Sequence, residues 1–208
     1  FARDQHGKHT AQSARRVRAT ERLLKRAAIR IPASLDEITF SPERNLDRDL
    51  VSRLSSMRWV SEGASVLVTG PTGAGKSFLA CAFATEACLR GITTRYLRTT
   101  RLFAMLRAAR GDGTYFEEIA RFAKTSLLVI DDFGLTPLEA DDRLALLEIL
   151  DDRYQRLGTI VAAQLPVSKW HAAIGEPTIA DAVMDRLAHT PYIFDLKGGS
   201  RRKATQLS

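Results

Sequence analysis

A chain of 208 residues with 45% apolar content can bury one sizeable core, and suits a single domain with a small appendage. Its net charge of +7 is unevenly placed: residues 1–30 hold nine Lys or Arg against two acids, so the remainder is balanced overall. No apolar run approaches membrane-spanning length and no secretory leader is visible, which excludes a helical membrane span and leads us to expect a cytoplasmic location with no membrane partner.

In chain order, residues 12–30 predict a basic helix. Val17, Leu24, Ala28 and Ile31 recur at roughly helical spacing, with Leu23 and Ala27 beside them, so one face can dock while the arginines point outward. Arg15, Arg16, Arg18, Arg22, Lys25 and Arg26 are the candidate contacts to a phosphate polymer; the alternative is a solvated helix face. Pro32 marks a break, residues 33–45 read as a connector, and 46–61 predict a helix carrying Leu46, Leu50, Leu54, Met57 and Val60. We therefore divide the chain into a basic helical extension, residues 1–34, and a main domain, residues 35–208.

Strands and helices then alternate. Strand 65–69 leads to helix 76–89, closed by Gly91, and strand 93–97 leads to helices 99–109 and 114–123. Strand 126–130, a helix from Pro137 to about Tyr154 and strand 159–163 follow. Residues 168–190 read as helical with a break around 175–177, and 192–196 as a last strand before the basic stretch 197–203. The continuous apolar strands predict an α/β fold with a parallel sheet flanked by helices.

Between strand 65–69 and its helix stands Gly70-Pro71-Thr72-Gly73-Ala74-Gly75-Lys76-Ser77, a complete P-loop (GxxxxGK[ST]), with Phe78 next in the helix. Glycine-rich backbone can curve several N–H groups onto one phosphate. Lys76 adds a mobile charge for the outer phosphates, and the Ser77 hydroxyl suits Mg²⁺. ATP and Mg²⁺ are thus the expected ligands. Strand 126–130 runs into Asp131-Asp132. A carboxylate at that end can hold Mg²⁺ or its water, the role we give Asp131, while Asp132 polarises the attacking water. Gln164 follows the next strand, where it either reaches the γ-phosphate or forms the turn before Pro166. Arg186 either completes a neighbour's site in trans or makes an ordinary pair with Asp185. Arg201 and Arg202 are placed to sense the γ-phosphate or to touch DNA phosphate. His6, His9, His171 and His189 lack metal-ligand spacing, and Cys81 and Cys88 read as structural helix residues.

These segments resemble the IstB-like insertion-sequence helper ATPases, AAA+ proteins related to DnaC-like helicase loaders. The resemblance covers residues 35–203: the leader Leu35-Asp36-Glu37-Ile38-Thr39-Phe40, the P-loop, the run from Leu127 to Asp-Asp-Phe-Gly, and Ala163-Gln164-Leu165-Pro166 through Trp170. It implies that Gln164 ends a sensor strand, that Asp185-Arg186-Leu187 is an arginine-finger segment, and that Arg202 is the closer candidate for a terminal sensor. Gly199 stands where the family commonly has an acid, and Arg201 where it commonly has an apolar residue. Family members have a longer amino-terminal helical region, so a shortened start is expected. The resemblance implies a DNA-stimulated ATPase that assembles head-to-tail on double-stranded DNA and stimulates or targets a cognate transposase. A helicase loader is the related alternative, and an ATP-responsive structural DNA-binding protein with little turnover is the more distant one.

Overall fold

The computed structural model describes residues 2–189 and 191–199, with side chains from residue 14 onward. The chain begins with helix α1 (Ala2–Ala27), followed by 3-10 turns at Leu35–Glu37 and Pro42–Arg44 and short helices α2 (Arg48–Leu54) and α3 (Arg58–Ser61). Then come β1 (Ser65–Thr69), α4 (Lys76–Leu89), β2 (Thr94–Arg98), α5 (Thr99–Asp112), α6 (Tyr115–Lys124), β3 (Leu127–Phe133) and α7 (Ala140–Arg153). β4 (Gly158–Ala163), α8 (Trp170–Ile174), α9 (Pro177–Ala188) and β5 (Pro191–Asp195) complete it.

The strands form one parallel sheet of order β2-β3-β4-β1-β5. Strand alternation divides the core between two faces. Val66, Val68, Leu127, Val129, Ile160 and Ala162 pack on the side of α4, whereas Leu67, Leu128, Ile130, Val161 and Ala163 pack on the side of α5 to α9. Strands covered on both faces must be apolar throughout, which is why they read as continuous hydrophobic runs. α4 is itself buried nearly all round, and Ala80, Ala82, Ala84 and Ala87 let its neighbours approach closely.

Three expectations are corrected. The helix predicted over 46–61 is two helices, because Met57 turns left-handed (φ 59°). Trp59 then swings back and its indole N–H donates at 3.0 Å to the Leu54 carbonyl at the end of α2, which also accepts from the Met57 amide at 3.0 Å. β3 runs on through both acids to Phe133, and does not stop at Ile130. The apolar stripe of α1 is only half used: Ala27 is fully buried and Leu23 and Leu24 half-buried, but Val17 is 55% exposed and Ala28 lies beyond the helix. α1 docks through its last turns against α4 and β2, and Arg15, Arg16, Arg18, Arg22, Lys25 and Arg26 are all exposed. Lys25 and Arg26 also occupy the last turn, where the helix dipole favours cations.

Candidate active site

β1 delivers the P-loop at the carboxyl edge of the sheet. Gly70 has φ 142°, and a Cβ there would stand 2.3 Å from the carbonyl oxygen of Leu196, so only glycine admits the segment after β5 so closely. Gly75 (φ 97°) caps α4 with no side-chain hydrogen bond, and the first turn of α4 contains no acid. The amide donors of that turn, and the positive end of the helix dipole, are thereby left to an anion. Lys76 is buried and folds over the loop, its Nζ donating to the Pro71 carbonyl at 2.9 Å. Ser77 is half-buried beside it, and Phe78 packs into the core below.

An arginine supports the loop from outside the motif. Arg44 is buried and donates to the carbonyls of Thr39 at 2.6 Å and Ala74 at 3.1 Å. Its own carbonyl accepts from the Lys197 amide at 2.9 Å, and a Cβ on Gly75 would meet its guanidinium at 2.6 Å. Asn45 ties the same connector to β5 through the Asp195 carbonyl at 2.9 Å. The connector, the P-loop and the end of β5 are thus one unit.

The paired acids sit on a bulge. Ile130 pairs with Val161 and Phe133 with Ala163, so β3 advances three residues while β4 advances two. Asp132 takes up the extra residue with a left-handed φ of 58°, a conformation aspartate tolerates better than most residues. The bulge splits the roles of two neighbours. Asp131 is fully buried, its Oδ2 accepting from the Tyr96 hydroxyl at 2.5 Å and its Oδ1 from the Asp132 amide at 2.8 Å. Burial and the contact with Asp131 push the Tyr96 hydroxyl well above its ordinary range, so it is a donor at any working pH. Asp132 instead turns outward, its side chain 24% exposed, and pairs with Arg30 at 3.9 Å.

Gln164 is exposed and follows Ala163, which is level with Thr69 on one side and Phe133 on the other. β4 therefore carries it out between the P-loop and the acids. Trp170 fixes that turn: it is fully buried, its indole N–H donates to the Leu165 carbonyl at 2.9 Å, and its ring meets Phe133 edge-on at 5.0 Å. The motif thus contains both the polar side chain and its anchor.

Other predicted residues lie elsewhere. Arg186, near the end of α9, donates to Asp151 at 2.6 Å and to Asp185 at 3.3 Å. It sits at the amino edge of the sheet, a strand's length from the P-loop of its own chain, about 17 Å for five residues. Arg201 and Arg202 lie outside the described residues. His171 pairs with Asp181 and His189 bonds Gln155, both on the surface. Cys81 and Cys88 are buried and free. Sequence reasoning missed Tyr96, Arg44 and Arg30. Strand order would have revealed Tyr96, since β2 borders β3; the two arginines stand in no motif.

The donors fit a hydrated Mg²⁺. Ser77 and Asp131 offer a hydroxyl and a carboxylate, and no cluster of three or more His, Cys, Asp or Glu suited to a metal occurs among the described residues. Few protein oxygens beside a phosphate cradle suit an ion that keeps its waters and shares phosphate oxygens. Among the described residues no helix is long and apolar enough to cross a membrane.

A parallel sheet of this order, with a P-loop after β1, paired acids in β3 and a polar residue after the intervening β4, defines the AAA+ class of P-loop ATPases. Solved structures share the fold: the replication initiator DnaA bound to AMPPCP and single-stranded DNA (TM-score 0.70, 16% identity, 83% of this chain and 52% of that one). DnaI (TM-score 0.67, 22% identity, 80% and 92%) and the DnaC helicase loader (0.66, 19%, 79% and 97%) are similar. The chain belongs to the family described as IstB-like ATP binding protein, whose profile matches residues 5–208. It is 44% identical over 180 residues to a protein of Sinorhizobium fredii named as an insertion-sequence ATP-binding protein, covering 86% of this chain and 74% of that one. A protein of Pseudomonas fluorescens, named for ATP binding in insertion sequence IS1162, is 40% identical over 158 residues, covering 76% and 68%.

Proposed function

We propose that the chain hydrolyses ATP to ADP and phosphate in the service of an insertion sequence, bound to double-stranded DNA through α1 and assembled head-to-tail with copies of itself beside a cognate transposase. The observation that carries the ATPase reading is the bulge. It buries Asp131 under Tyr96 while turning Asp132 outward, at the carboxyl edge beside an uncapped P-loop helix. The P-loop amides and Lys76 bind the phosphates. Ser77 and Asp131 would hold Mg²⁺, which would supply positive charge against the reacting phosphates. Asp132 accepts the proton of the attacking water, and Gln164 orients the same water or the γ-phosphate. Arg202 is the candidate terminal sensor.

Two substitutions test this. Lys76→Ala should abolish tight ATP binding. Asp132→Asn should bind a fluorescent ATP analogue normally but release phosphate slower by about 10²-fold, the scale of a lost general base. Parent-like turnover by Asp132→Asn would remove the assigned role.

A further inference from the structure

The chain leaves α1 by a turn at Ala28, whose left-handed φ of 54° sends the backbone across α4. Ile29 and Ile31 pack into the core on that face. The backbone of Ile31 and Arg30 lies beside the thiol of Cys81, which is fully buried in α4. Before the turn, Arg95 of β2 donates to the Arg26 carbonyl at 3.2 Å. The backbone on both sides of Arg30 is therefore pinned to the main domain. Its side chain extends over the end of β3, where Nη1 lies 3.9 Å from Asp132 Oδ2. Its charge also acts on Tyr96 and Cys81, the other groups around the buried Asp131.

Asp132 stands on a bulge in a left-handed conformation with its side chain partly exposed, so the strand alternation that fixes its neighbours does not aim its carboxylate. We propose that Arg30 is a positioning residue that aims the Asp132 carboxylate and so joins the basic helix to ATP turnover. This rests on the reading of Asp132 as the water-polarising group. The extension delivers a fixed cation to the acid, and a displacement of α1 by bound phosphate polymer is carried to Asp132 along four residues of pinned backbone.

The test uses the full chain with duplex DNA and the variants Arg30→Gln, Arg30→Lys, Asp132→Asn and the double Arg30→Gln/Asp132→Asn. Arg30→Gln should lower kcat by about tenfold, the cost of a misaimed reacting group, while affinity for a fluorescent ATP analogue stays within about twofold. Arg30→Lys keeps the charge and should recover most of the rate. In the double variant the Arg30 change should cost nothing further, because the group it aims is gone. A tenfold loss repeated on top of Asp132→Asn would overturn the proposal, as would weakened nucleotide binding with unchanged kcat. Parent-like turnover by Asp132→Asn alone would instead overturn the underlying assignment of Asp132. If Arg30→Gln fails to give the parent's melting transition, Arg30→Lys against the parent decides: full activity supports the charge, and a tenfold loss with normal folding rejects it.

Discussion

Arg153 shows how much one side chain can hold at the edge of this sheet. It is 1% exposed, and its fork donates to the carbonyls of Phe122, Thr125, Ser126 and Gly158 and to the Thr159 hydroxyl. Burial pulls its guanidinium down to about 9, which still leaves it charged at neutral pH. Its acceptors are neutral, so desolvation is offset by hydrogen bonds alone and the geometry of the fork matters. It closes the end of α6, the start of β3 and the start of β4 together. Arg153→Met keeps the volume but takes the side-chain donor from the Thr125, Ser126 and Gly158 carbonyls, while that of Phe122 still accepts from the Thr125 amide, and should lower unfolding free energy by about 3 kcal/mol, the scale of buried acceptors left unsatisfied. Arg153→Lys cannot reproduce the fork and should recover little of it. Denaturant midpoints of both variants check this, and a shift below about 0.5 kcal/mol, the range of ordinary surface changes, would mean that the carbonyls find other donors.

At the scale of elements, α1 combines a docked end with an exposed basic surface. Around Val17 the helix is not held by an apolar face, as the exposure of that residue shows, and Arg15, Arg16, Arg18 and Arg22 are exposed and available to a phosphate backbone. Replacing these four with Gln should weaken duplex binding and flatten its salt dependence, by about 0.9 in log–log slope for each phosphate that is no longer neutralised. Equal slopes for variant and parent would remove them from the interface. The helix was legible in sequence because its basic composition and spacing are local properties, and its docking was not, because only the last turns meet a partner. The same distinction runs through the site. The P-loop and the acid pair are contiguous motifs and were readable residue by residue. The bulge at Asp132, the hydroxyl of Tyr96 over Asp131 and the brace from Arg44 depend on which strand lies beside which, and on a connector folding back over 30 residues to reach Ala74. The split at Met57 escaped for a related reason: the apolar spacing of 46–61 continues through a left-handed residue that only the fit of Trp59 under Leu54 explains.

For the whole molecule, the position of Arg186 sets what a role at the ATP site would require. α7 ends and β5 begins at the amino edge of the sheet, and Arg186 is held there by Asp151 and Asp185, over the ring of Tyr154. Half-exposed pairs of this kind contribute about 0–1 kcal/mol, so loss of Arg186 should leave folding nearly intact. A role at the ATP site therefore has to be exercised on a neighbouring copy, with the amino edge of one sheet facing the carboxyl edge of the next, a heterologous contact that repeats. Mixing inactive variants tests this directly. Lys76→Ala lacks the phosphate-binding lysine but keeps the arginine, and Arg186→Ala has the reverse defect. In a random equal mixture on duplex DNA, about a quarter of the junctions pair an intact P-loop with an intact arginine, as expected for heterologous assembly. Phosphate release should recover to about that fraction of the parent rate, while each variant alone stays inactive. No recovery on mixing, with both variants folded and bound to DNA, would confine Arg186 to its pairs with Asp151 and Asp185.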